Sequence, residues 1–183
     1  MSAVLDENLS QAASCCGADP AFCADVLKGL SAPQKAVPAR WLYDRRGSEL
    51  FEAITELPEY YVTRTERSIL ARNTTGIAEL TGPGRVVVEF GSGSSTKTPL
   101  LLSAISPAAY VPIDISGEFL HASVRELSRS FPWLPMHPVV GDFMKPLQLP
   151  DLGASRRLGF FPGSTIGNLV APMAVNLLRA MAS

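Results

Sequence analysis

The sequence predicts an α/β fold in which helices flank a parallel sheet, with a helical segment ahead of it. From residue 85 onwards, apolar β-branched runs alternate with amphipathic helical patterns, which is typical of strand–helix–strand units with right-handed crossovers. A glycine- and serine-rich turn follows the first run, Val86–Val88, and Asp114 closes the second run. These features favour a Rossmann-like sheet with a nucleoside site at the carboxyl ends of its strands.

Residues 1–82 are predicted to form a helical segment that contributes to a substrate domain. Apolar residues at helical spacing predict one helix that ends before Pro33 and a second that ends before Pro58. Thr63–Glu66 fits a capping box, so a third helix is expected to begin there and to end near Gly82.

Residues 83–183 are predicted to form a partial Rossmann-like domain. Strands are expected at about 85–90, 109–114, 137–141 and 157–161, and helices at about 97–105, 117–129 and 171–182. In a doubly wound order the first and fourth strands are neighbours, so Gly91–Thr98 and Pro162–Asn168 line one crevice. The fourth strand would then be an edge that further chain, a partner or the N-terminal helices cover.

Composition excludes several classes of protein. The 183 residues carry a formal net charge of −1 and are 46% hydrophobic, which favours a buried core and argues against binding to nucleic acid or an anionic membrane. No apolar run approaches the ~20 residues of a membrane span, and the N-terminus lacks a signal-peptide pattern, so we expect a cytoplasmic protein. Cys15, Cys16 and Cys23 match no zinc spacing and are expected to be reduced thiols, and no metal site is predicted.

Two nucleotide-binding interpretations of the glycine-rich turn fit poorly. A P-loop requires glycine immediately before the lysine, and a dinucleotide fingerprint requires a third glycine at the same place, but Thr96 stands there. The Cβ atom of threonine disfavours the backbone conformations that glycine allows. Glu89 would also bring a negative charge close to a triphosphate. An NTPase or a dinucleotide dehydrogenase is therefore a weaker hypothesis.

S-adenosylmethionine fits the same turn better, because it has no phosphate and carries a cationic sulfonium. Acidic residues suit such a ligand, and Glu89 precedes Gly91 in the turn. Asp114 is placed to bind the ribose hydroxyls, and the Asp142-Phe143 pair, after the third strand, to bind the adenine. Lys97 has two open interpretations, a contact with the methionine carboxylate or a solvated lysine in the first turn of a helix.

Four long motifs extend the comparison beyond the turn. In chain order they are Tyr43–Phe51, Leu57–Glu66, Glu89–Thr98 and Phe161–Asn168. Together they closely resemble the histidine-specific, S-adenosylmethionine-dependent methyltransferases of ergothioneine biosynthesis, from about residue 20 to the end. The resemblance implies a class I methyltransferase fold and three successive methylations of the α-amino group of L-histidine, which give hercynine.

The resemblance also implies roles for individual residues. Cofactor contacts would come from Gly91, Lys97, Asp114, Asp142 and Phe143, and amino-acid contacts from Tyr60, Asn168 and, less directly, Tyr43. It implies L-histidine as a small-molecule substrate and a monomeric full-length enzyme. Family members continue for further strands and much of the amino-acid-binding domain, so we expect this chain to be a partial, C-terminally truncated member.

Overall fold

The computed structural model describes residues 19–153 and 156–182. The described residues pack as two compact units, one that ends at Leu42 and another that begins at Tyr43. Residues 1–18 of the predicted helical segment, with Cys15 and Cys16, lie outside the described residues, whereas Cys23 is a free thiol. The functional division between residues 82 and 83 stays a prediction.

The first unit is a helix tied to a short turn. Helix α1 spans Pro20–Ser31 and is capped by Asp19, whose carboxylate accepts the amide of Ala21 at 2.7 Å. A 3₁₀ turn follows at Ala39–Leu42. Asp25 joins helix and turn by accepting the indole N–H of Trp41 at 2.7 Å.

Two further helices open the second unit. Helix α2 spans Arg45–Thr55 and helix α3 spans Val62–Thr81. The predicted ends of both helices are confirmed to within a few residues, but the prediction of a capping box at the start of α3 is wrong. The residue before α3 is Tyr61, it makes no side-chain cap, and the Glu66 carboxylate is bound elsewhere.

Among the residues that the structure describes, four parallel strands form the sheet. They are β1 (Val86–Phe90), β2 (Ala109–Asp114), β3 (Val139–Val140) and β4 (Arg157–Phe160), in the order β3-β2-β1-β4. The prediction that the first and fourth strands are neighbours is confirmed, because β1 pairs with β4. Strand β3 is shorter than expected, because Pro112 has no amide proton to donate towards β3, which interrupts the ladder between the Tyr110–Met136 bridge and the pairs that begin at Ile113–Val139.

Helices α4 (Thr98–Ile105), α5 (Gly117–Ser130) and α6 (Ala171–Ala182) complete the alternation, with a 3₁₀ turn at Thr165–Asn168. The core lies on both faces of the sheet. On one face, Val87 and Tyr110 of the strands pack with buried residues of α4, α5 and the segment after α5: Leu101, Leu102, Ile105, Leu127, Phe131 and Leu134. On the other, loop residues that include Leu147 and Leu149 cover a smaller cluster: Val86, Val88, Ala109, Val111 and Ile113.

Within the described ranges, no helix combines the length and the apolarity that crossing a bilayer requires.

Candidate functional site

The glycine-rich loop after β1 folds back over the end of β2. The backbone is left-handed at Gly91 (φ 71°), Gly93 (φ 51°) and Ser95 (φ 55°). The amides of Gly91 and Ser92 both donate to the carbonyl of Ile113, at 2.9 and 3.1 Å. A left-handed serine is strained, and such strain is common where a loop is shaped for a ligand.

Asp114 anchors this loop from the end of β2. One carboxylate oxygen accepts the Gly93 amide at 2.9 Å, and the other accepts the Ser116 amide at 2.9 Å. Each carboxylate oxygen can accept a second hydrogen bond, so Asp114 still has capacity for hydroxyl donors. The structure therefore brings Asp114 directly to the glycine-rich turn.

Glu89 lies beneath the loop, and its side chain points into the core. It is 1% exposed, and one carboxylate oxygen accepts hydrogen bonds from Thr98 Oγ1 (2.8 Å) and Tyr110 Oη (2.5 Å). Burial raises the pKa of Glu89 to about 7. Burial, with the neighbouring carboxylate, also raises the pKa of Tyr110 well above its ordinary value. Glu89 therefore binds the first residue of α4 and a residue of β2 from inside the core, and it is not exposed to a ligand in the way that the sequence pattern suggests.

Phe143 belongs to a trio of aromatic rings that sequence reasoning only partly found. Its ring packs edge to face on Phe90 and Phe161, with centroids 6.4 and 5.6 Å apart. A Cβ atom at Gly91 would lie 3.4 Å from the Phe143 ring. Phe90 and Phe161 were overlooked, although each stands at the carboxyl end of a predicted strand.

Asp142 shapes the turn that presents Phe143. Its Oδ1 atom accepts the Met144 amide at 2.9 Å, two residues ahead, in the manner of an Asx turn. The side chain is half-buried. Asp142 and Phe143 therefore lie together after β3, next to the start of the glycine-rich loop through the Gly91 contact.

Lys97 ends the glycine-rich loop and is not a solvated lysine. Its side chain is 17% exposed, and Nζ lies 2.5 Å from Oε2 of Glu66 on α3. The other oxygen of Glu66 accepts the amide of Gly163 at 2.5 Å. Sequence reasoning missed Glu66, because it took this residue for a helix cap.

Tyr43 and Tyr60 lie together around Phe51. Both pack edge to face on that ring, with centroids 6.2 and 6.1 Å away. Arg64 fixes the loop that carries Tyr60 by donating to the carbonyls of Leu57 and Pro58, at 2.9 and 2.6 Å. These two tyrosines thus form a cluster of their own, built on α2 and the loop before α3.

Asn168 is the last residue of the 3₁₀ turn after β4 and is exposed. The segment that leads to it begins at Gly163, whose amide is bound by Glu66. The loop carrying Asn168 and the glycine-rich loop are therefore connected through one carboxylate.

The charges around the loop fit a cationic nucleoside better than a triphosphate. Asp114 and Asp142 both lie beside it, and these carboxylates would repel the negative charge of a triphosphate. Among the described residues, the buried Ser92 Oγ has no hydrogen-bond partner, so a polar ligand group could satisfy it. The glycines, the free carboxylate capacity and the aromatic ring suit an adenosyl group attached to a sulfonium.

In the part of the chain that the structure describes, no three His, Cys, Asp or Glu side chains are grouped so that they could hold a metal ion.

Comparison with solved structures defines the class of fold. A candidate S-adenosyl-L-methionine-dependent methyltransferase from Methanococcus maripaludis superposes with a TM-score of 0.52 at 15% identity, over 82% of this chain and 61% of that one. The parallel sheet and its helices therefore have the Rossmann-like architecture of class I methyltransferases, as predicted.

Residues 22–183 match the family model described as histidine-specific methyltransferase, SAM-dependent, and the chain belongs to this family. The predicted family resemblance is thereby confirmed. The histidine N-alpha-methyltransferases of Mycolicibacterium smegmatis and Mycobacterium tuberculosis are each 40% identical over 163 residues, which is 86% of this chain and 50% of theirs. Ergothioneine biosynthesis protein 1 of Neurospora crassa is 32% identical over 152 residues, 79% of this chain and 17% of that protein. The chain spans about half the length of the mycobacterial relatives.

Proposed function

We propose that this chain carries the cofactor site, and part of the amino-acid site, of an N-methyltransferase that acts on the α-amino group of L-histidine and yields hercynine. Membership of the family and the names of the mycobacterial relatives support the substrate class. Within the chain, the observation that carries the proposal is the hydrogen bond from Gly93 to Asp114, which presents a carboxylate at the glycine-rich turn. We propose that the enzyme is cytoplasmic.

We assign the cofactor contacts to the residues around the loop. Asp114 would accept the ribose hydroxyls with its remaining lone pairs, and Asp142 would accept the exocyclic amine of the adenine while Phe143 packs on the base. Gly91 would allow the ligand to approach the backbone. Lys97, held at the end of the loop, would bind the carboxylate of the methionine moiety.

We assign the amino-acid contacts to Tyr60 and Asn168, with Tyr43 beside Tyr60. S-adenosylmethionine supplies a methyl group that the sulfonium has already activated. An ammonium has no lone pair, so the substrate amine must lose a proton before it attacks. Tyr60 and Asn168 would then orient the neutral amine by hydrogen bonds, and good orientation corresponds to an effective molarity of about 10⁵–10⁸ M.

Methyl transfer tests this proposal. The purified chain is incubated with S-adenosylmethionine and L-histidine, and mono-, di- and trimethylated products are followed by mass spectrometry. We expect stepwise methylation of histidine, no product from an analogue without the α-amino group, and a rate at least ten-fold lower for Asn168→Ala. If the chain binds the cofactor but methylates nothing, the proposed activity is contradicted and the chain is a cofactor-binding module. If thermal denaturation shows no cooperative transition, the chain is an unstable piece of such an enzyme.

A further inference from the structure

Glu66 is the side chain on α3 that connects both walls of the crevice. Its two carboxylate oxygens bind different segments, with Lys97 Nζ at 2.5 Å from Oε2 and the Gly163 amide at 2.5 Å from Oε1. These partners lie 31 and 97 residues away along the chain. The Glu66 side chain is 26% exposed, so water screens the pair only in part.

The three groups form one compact arrangement, which we call the Glu66 clamp (Glu66, Lys97, Gly163). Lys97 Nζ lies 3.4 Å from the position that a Cβ atom would take at Gly163, so the ammonium also lies against that loop. Gly163 has a φ of 88°, which favours glycine and lets its amide face the carboxylate. A single carboxylate therefore contacts both the glycine-rich loop and the loop after β4.

We propose that Glu66 is a positioning residue that holds the Lys97 ammonium, and the Gly163 loop beside it, in the geometry that receives the amino-acid end of the cofactor. This inference rests on the proposed function. A lysine ammonium has three donors, and Glu66 uses one of them, so others remain for a ligand carboxylate. Lysine has one of the most flexible side chains, and a partner that fixes it in advance removes part of the entropy loss on binding.

Two ligands separate this role from a general structural one. S-adenosylhomocysteine carries the amino-acid end, whereas 5′-methylthioadenosine shares the nucleoside and the sulfur but lacks that end. In Glu66→Gln, the amide oxygen still accepts from Gly163 but the charge that holds Lys97 is lost. We expect calorimetry to give about ten-fold weaker binding of S-adenosylhomocysteine and a change of less than about two-fold for 5′-methylthioadenosine.

Matched variants complete the experiment. Glu79→Gln changes an exposed glutamate of the same helix and is expected to leave both affinities unchanged. The double variant with Lys97→Gln and Glu66→Gln should bind S-adenosylhomocysteine less than two-fold more weakly than Lys97→Gln alone, because the group on which Glu66 acts is already gone. Should Glu66→Gln lose its cooperative melt, Glu66→Asp keeps the charge with a shorter reach and is expected to show the same ligand-selective loss at smaller size.

Several results would overturn the inference. Equal weakening of both ligands in Glu66→Gln would mean that Glu66 only stabilises the fold, and unchanged binding of both would mean that the Glu66 clamp does not affect the site. In either case the unaltered chain still binds S-adenosylhomocysteine. Failure of the unaltered chain to bind that ligand would instead refute the proposed function.

Discussion

Glu89 is the side chain whose chemistry the fold changes most. Burial away from water disfavours the charged form of a carboxylate, so protonation stabilises it. In the described structure only the hydroxyls of Thr98 and Tyr110 donate hydrogen bonds to Glu89. Its pKa of about 7, against 4.5 for the exposed group, means that the folded chain binds this proton more tightly than the unfolded chain does. Glu89 therefore favours folding most at low pH.

The free energy of unfolding is expected to depend on pH through Glu89. The contribution of the protonated group is complete below about pH 4.5 and is lost as the pH rises through about 7. Glu89→Gln removes this titration. Urea unfolding measures this effect. Between pH 5 and pH 8 the free energy of unfolding of the unaltered chain should fall by about 2–3 kcal/mol relative to that of Glu89→Gln.

Glu79→Gln is the control for this experiment, because Glu79 is exposed on α3. Its stability should follow that of the unaltered chain at every pH. A Glu89→Gln curve that also stays parallel to the unaltered chain would contradict the raised pKa and mean that Glu89 remains ionised in the core.

Helix α4 connects the glycine-rich loop to the core, and its last turn is strained. Its C-cap is Ser106, an exposed residue with φ 46°, where the left-handed backbone favours glycine. A non-glycine residue pays about 1–2 kcal/mol for this conformation. The backbone carbonyl of Ser106 accepts the Gly84 amide at 3.1 Å, a contact that any residue can make.

Ser106→Gly is therefore expected to raise the free energy of unfolding by about 1 kcal/mol. Ser103→Gly, at an exposed position inside the same helix, makes the same chemical change and should lower stability by about 0.5 kcal/mol. Urea unfolding of both variants measures the difference. Equal destabilisation by the two substitutions would show that the turn at Ser106 is not left-handed in solution.

Most helices and strands could be predicted because their signals are local. Prolines, glycines and hydrophobic periodicity lie within a few residues of the ends of α1, β1, β2 and α6. The length of β3 could not be predicted in this way, because the amide that Pro112 lacks matters only once β2 and β3 are aligned. The contacts of Glu66 could not be predicted either, because its partners are distant in the sequence and the local pattern indicates a capping box.

The positions of candidate site residues were likewise predictable where they follow from strand order, and not where they depend on tertiary contacts. Asp114 lies at the glycine-rich turn because parallel strands bring their carboxyl ends together, which the order of the strands already implied. The aromatic partners of Phe143 and the packing of Tyr43 and Tyr60 on Phe51 depend on tertiary contacts. Which of these side chains touch a ligand stays a prediction.

The molecule assembles its crevice from segments across the second unit. Strands β1 and β2 supply the turn and its anchoring carboxylate, α3 supplies Glu66, and the loop after β4 supplies Gly163. Strand β4 lies at the edge of the described sheet, as expected. That further chain, a partner or the N-terminal helices cover this edge is still a prediction.

Calorimetric titration with S-adenosylhomocysteine, of the unaltered chain and of Asp114→Ala, tests the cofactor site most directly. We expect the unaltered chain to bind this ligand in preference to ATP and NAD, and Asp114→Ala to bind it at least ten-fold more weakly, because the variant loses both the ribose acceptor and the anchor of Gly93. Asp151→Ala, which removes an exposed carboxylate that accepts the Gly153 amide in another turn, should bind normally. Equal affinity of Asp114→Ala and the unaltered chain, or tighter binding of ATP, would contradict an S-adenosylmethionine site at this turn.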